Sequence, residues 1–108
     1  MTVYSKINML AGLYQCNAFE TIVVTNAVKK LTQATYEDSD GNSAMRAVIT
    51  VEDAPIRYRY DGGDPTAALG HRLNPMDALV LTGGTNIRNF RVIRIGATNG
   101  EINISYER

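Results

Sequence analysis

The sequence predicts an all-β fold, an antiparallel β-sandwich or jelly-roll-like barrel of about seven strands with an extended N-terminal arm. Three observations predict it. Residues alternate with a period of two over Met45–Glu52, Ile56–Asp61 and Glu101–Glu107, the signature of strands with one buried face. β-branched residues cluster, as at Ile22-Val23-Val24, where a pleated surface accommodates them. Groups of Asp, Asn, Gly and Pro punctuate these runs, and little convincing helix stands between them.

Residues 1–18 show neither the helical nor the strand period. Met9, Leu10, Leu13 and Tyr14 fall at helical spacing, but Gly12 weakens a helix there. This stretch reads as an arm laid over the domain or over a neighbour, with an edge strand as the alternative. Residues 19–108 then form a single β domain. Glu20–Thr25 and Val28–Tyr36 follow as extended segments. Asp38-Ser39-Asp40-Gly41-Asn42-Ser43 turns the chain, because Asp-Gly and Asn tolerate the positive φ of a tight reversal.

In the next strand Ala47, Ile49 and Val51 share a face, and Pro55 ends it because it cannot donate to a ladder. Ile56, Tyr58 and Tyr60 then alternate with Arg57, Arg59 and Asp61. Asp61–Thr66 is a turn, and a loop runs on through Gly70-His71-Arg72 to Asn74-Pro75. Asp77–Thr82 is a strand turned by Gly83-Gly84. Ile87–Ile95 is the longest extended segment, and Ala97-Thr98-Asn99-Gly100 ends it with a hairpin signal. The expected core includes Ile49, Val51, Ile56, Tyr58, Leu79, Leu81, Ile102 and Ile104.

With 108 residues the chain has room for one domain. Eleven basic and eleven acidic residues cancel, which removes the attraction that non-specific nucleic-acid binding depends on. One cysteine excludes an internal disulfide and a thiolate zinc site, and one histidine excludes a multi-histidine centre. No apolar run approaches the roughly 20 residues of a spanning helix. The N-terminal stretch also lacks the cleavage site of a secretory signal. Synthesis in a cytoplasm, with no membrane partner, no specific nucleic acid and no cofactor, is the expectation.

Few motifs suggest chemistry. Asp38, Asp40 and Asn42 begin like a calcium loop, but Ser43 stands where Gly is needed and Ile49 where the bidentate Glu belongs. A solvated hairpin turn explains them better. Asp61 and Asp64 flank two glycines and read as turn residues rather than an acid–base pair. His71 and Cys16 carry no catalytic signature around them. No catalytic or metal-binding residue is therefore assigned, and no enzyme is expected.

The arginines point elsewhere. Eight of the eleven basic residues are Arg, and Arg57, Arg59, Arg88, Arg91 and Arg94 cluster in the extended segments. Arg suits planar, bidentate contacts at interfaces, although a solvated sheet face paired with carboxylates is an equal alternative. In Ile87–Ile95 neither face is polar throughout. Either a bulge near Val92 switches the facing, or a second layer covers the strand, most naturally another subunit. Arg88, Phe90, Arg91 and Arg94, with Leu10, Leu13 and Tyr14 of the arm, are the candidate interface residues.

From about Ala47 onward the chain resembles small all-β bacteriophage virion proteins. The matching stretches are Ile49-Thr50-Val51-Glu52, Ile56-Arg57-Tyr58-Arg59-Tyr60-Asp61-Gly62, Asp64-Pro65-Thr66, Gly70-His71 and Asn86-Ile87-Arg88-Asn89-Phe90-Arg91. The resemblance implies location in the virion, as a capsid decoration or head–tail completion protein without enzymatic activity. Its partners would be copies of itself and other virion proteins such as the major capsid protein. The competing expectation is a carbohydrate-binding β-sandwich module using Tyr58, Tyr60 and Tyr106. Strand alternation points all three inward, and Trp is absent.

Overall fold

The computed structural model describes residues 14–108. The chain is mostly β and forms two antiparallel four-stranded sheets. In sequence order the elements are β1 (Cys16–Val24), β2 (Lys29–Lys30), α1 (Gln33–Tyr36), β3 (Arg46–Glu52), β4 (Ile56–Arg59), β5 (His71–Leu73), β6 (Ala78–Thr82), α2 (Gly84–Asn89), β7 (Arg91–Arg94) and β8 (Gly100–Glu107). The first sheet runs β1-β8-β3-β6 and the second β2-β7-β4-β5. Only β4 and β5 follow one another within a sheet; every other connection crosses between the two. One buried cluster draws Ile49, Val51, Ile102, Ile104 and Tyr106 from the first sheet and Ile56, Tyr58 and Val92 from the second. The architecture is thus sandwich-like, with eight strands among the described residues.

The period-two reading holds where strands are long. Residues alternate between buried and half-buried along β3 and β8. Seven of the eight expected core residues are buried, and Leu79 is half-buried against the same cluster. At the start of β8, Gly100 is itself buried. A Cβ there would stand 2.9 Å from Ile56 Cγ2 and 3.2 Å from the Ala54 carbonyl. Absence of a side chain lets the two sheets approach at this point.

Four expectations are corrected. Val28–Tyr36 is not one extended segment: only Lys29–Lys30 pairs, and a single helical turn follows. That turn swings Tyr36 into the core, 5.9 Å from Tyr106 between ring centroids. His71–Leu73, expected in a loop, adds a short strand to β4. Ile87–Ile95 is not one strand either. Gly83, at φ 99°, reverses the chain into α2, and β7 begins only at Arg91. Ile87 and Phe90, three residues apart, both become fully buried. The burial of Ile87, Phe90 and Val92 from one stretch therefore records a helix-to-strand switch within the chain. The Ala97–Gly100 turn likewise joins strands of different sheets and closes no hairpin.

Candidate interaction surfaces

The outer face of the first sheet carries two adjacent uncharged rows. Phe19 of β1 lies opposite Ser105, Ser105 opposite Val48, and Val48 opposite Val80. The next row, Thr21–Asn103–Thr50–Ala78, is also uncharged, and the Thr21 hydroxyl lies 2.7 Å from Asn103 Oδ1. Phe19, Val23 and Val80 are each more than half exposed. Charges bound these rows on both sides. Glu52 and Glu101 pair at one end, and Arg46 meets Glu107 in an ion pair at the other. Tyr14 packs its ring on the Arg46 guanidinium, 4.7 Å from carbon to centroid, within cation–π range.

The inner side of β1 carries one carboxylate. Glu20 accepts from the Tyr106 hydroxyl at 2.5 Å, the Thr32 hydroxyl at 2.6 Å and the Thr32 N–H at 3.1 Å. Burial, then the bond to Glu20, pushes the Tyr106 phenol up from its ordinary value. These bonds tie β1, β8 and the start of α1 together. An inward carboxylate on an edge strand also discourages indiscriminate pairing with other strands.

The clustered arginines mostly bind their own chain. Arg57 donates to the carbonyls of Ala67 and Gly70 at 3.2 and 3.0 Å. Arg59 grips Asp61 through Nε at 3.0 Å and Nη2 at 2.6 Å, and reaches the Asp64 carbonyl at 3.3 Å. Together they fasten the long loop between β4 and β5. Gly63 makes room for this: a Cβ there would stand 2.5 Å from Arg59 Nη2. The Arg59 guanidinium, then the Gly63 N–H, hold the Asp61 carboxyl at about 2, below its ordinary 3.8.

Of the expected interface residues, Arg91 donates to the carbonyls of Arg88 and Phe90 and approaches Asp64 at 3.8 Å. Arg94 binds Asn99 Oδ1 at 2.6 Å. Phe90 is fully buried against Tyr58 and offers no surface, a correction that follows from the α2–β7 switch. Arg88 is exposed at the end of α2. Tyr14 sits at the margin of the first sheet's outer face, and Leu10 and Leu13 lie outside the described residues. Among the described residues, the five others do not form one patch: Phe90 is buried, and Tyr14 lies beside Arg46 of the first sheet, apart from Arg91 and Arg94 of the second. The surface missed by sequence reasoning, Phe19–Ser105–Val48–Val80, combines residues from four strands. Its signal was Val48 and Val80 standing at positions the alternation assigns to solvent.

No family model, curated protein or solved structure matches the chain. The functional argument therefore rests on residues and geometry. The acidic turn is built as a turn: Asp38 Oδ1 accepts from the N–H groups of Asp40 and Asn42 at 2.9 and 2.8 Å, and Arg108 pairs with Oδ2. The Asn42 N–H leads in lowering the Asp38 carboxyl below its usual value. Cys16 and His71 stand on different sheets.

At one corner of the second sheet, Tyr60 escapes the burial that alternation assigned to it. It lies just past the end of β4 and is 42% exposed, whereas Tyr58 and Tyr106 are buried as expected. Its ring centroid is 6.1 Å from that of His71. Arg59, Tyr60, Asp61 and His71 line an open cleft of about 320 Å³.

Proposed function

We propose that the protein is a non-enzymatic bacteriophage virion component, a capsid decoration or accessory protein acting through protein–protein contacts. Its partners are copies of itself and other virion proteins such as the major capsid protein, and its two sheets close as a sandwich of jelly-roll-like form. The observation that carries the contact function is the outer face of the first sheet. Four strands present a row running Phe19–Ser105–Val48–Val80, and the row beside it is also uncharged. Phe19 and Val80 stand exposed on this face, which charged residues rim, a setting suited to an interaction site. A rigid sheet presents it without ordering cost, which favours affinity for a matching flat partner. The resemblance of the segment after Ala47 to small phage virion proteins supplies the particle context.

Two measurements test the reading. Peptides of the chain should appear at fixed stoichiometry in purified particles from the source that encodes it. Phe19→Lys and Val80→Lys should each weaken self-association or particle binding at least tenfold, about 1.4 kcal/mol, while circular dichroism and unfolding stay unchanged. A wild-type chain that remains monomeric and is missing from particles overturns the proposal.

A further inference from the structure

We infer that the corner cleft of the second sheet binds a neutral saccharide, with Tyr60 and His71 as the stacking surface and the Arg59–Asp61 pair as the polar wall. This site is independent of the first sheet's outer face and of any role in a particle.

The rings come first. Tyr60 and His71 are both exposed, 6.1 Å apart between centroids and inclined by 31°. Tyr58, buried behind them, lies 6.3 Å from Tyr60 and 5.2 Å from His71. It backs both rings and fixes their inclination. Such a platform offers π surface to the C–H face of a pyranose ring, while the Tyr hydroxyl and an imidazole nitrogen stay free for polar contacts.

The polar wall selects the ligand's chemistry. Asp61 Oδ1 accepts from Arg59 Nε and the Gly63 N–H, whereas Oδ2 accepts only from Arg59 Nη2. One lone pair on Oδ2 and one N–H on Nη2 therefore remain, side by side in one plane. Vicinal hydroxyls, each able to donate and accept, match that pair. Charge favours a neutral ligand: Arg59, the arginine of the cleft lining, is paired with Asp61, and the neighbouring Arg91 approaches Asp64 at 3.8 Å. No group of three or more potential metal ligands occurs among the described residues. At about 320 Å³ the cleft falls at the lower end of small-molecule sites, suited to one or two sugar rings.

Saturation-transfer NMR with a panel of neutral methyl hexopyranosides, their disaccharides and sulfated and carboxylated counterparts tests this on the full chain. Wild-type protein should transfer saturation to ring C–H protons of at least one member, with a dissociation constant near or below about 1 mM. Tyr60→Ala should reduce binding at least tenfold with unchanged thermal unfolding. Gly63→Ala, which drives Arg59 from its place, should also weaken binding while both rings remain. Absence of binding across the panel, or undiminished binding by Tyr60→Ala, overturns the inference. Preference for sulfated or carboxylated sugars overturns the neutral class.

Discussion

The two sheets share one core but are held together differently. In the first, β1, β3 and β8 have nine, seven and eight residues, and along β3 and β8 alternate side chains bury one face. In the second, the strands have two, four, four and three residues. Ladders that short leave few cross-strand pairs to stabilise them. Long-range devices supplement them: Phe90 stacks behind Tyr58, and Arg57 and Arg59 fasten the β4–β5 loop by its carbonyls and Asp61. A long strand thus draws its stability from its own period, whereas a short one depends on anchors supplied from elsewhere in the chain.

The largest effect should come from removing the main anchor of the second sheet. Phe90→Ala deletes a fully buried ring and should cost about 3–5 kcal/mol in denaturant unfolding. Leu79→Ala, at a half-buried position in the first sheet, should cost less than half as much. In hydrogen exchange, the Phe90 variant should lose protection in β4 and β7 before β3 and β8. Equal loss in both sheets would show that they are equally anchored.

The same contrast explains what was legible in the sequence. Ile49, Val51, Ile102 and Ile104 announce themselves because one buried face persists for several residues, long enough for a period to show. The second sheet gives no such run. Ile87 and Phe90 meet the core through a helical turn, and their spacing of three, following Gly83-Gly84, was the available clue. The arginine contacts join residues ten and thirteen apart at Arg57–Ala67 and Arg57–Gly70, beyond any local pattern. Tyr60 was assigned to the interior by parity, but β4 ends one residue earlier and its ring emerges at the rim.

A second test sharpens the comparison where the sheets meet. Gly100 opens β8 in the first sheet, directly against Ile56 of the second. Ile56 is fully buried and cannot move aside freely. Gly100→Ala should therefore destabilise by about 1–3 kcal/mol, measured by thermal or denaturant unfolding. A neutral or stabilising result would mean that the sheets can separate slightly here, and that close approach is not a constraint.

The smallest effect is local and concerns the loop fastening of the second sheet. Asp61 titrates at about 2 in the fold against an ordinary 3.8, chiefly because Arg59 bonds its ionised form. A depressed folded value means that the fold favours the carboxylate. That contribution is fully present above about pH 4 and is lost as the pH falls through about 2. Both groups are exposed to solvent, so the overall unfolding midpoint should barely move. Carboxyl carbon shifts should instead show Asp61 protonating near pH 2, with amide shifts in residues 61–70 following the same curve. In Arg59→Gln the midpoint should rise toward 3.8 and stop short of it, because the Gly63 N–H still donates to Oδ1. Wild-type Asp61 titrating at its ordinary value would remove the Arg59–Asp61 pair as the loop's fastening, leaving the arginine bonds to backbone carbonyls to hold it.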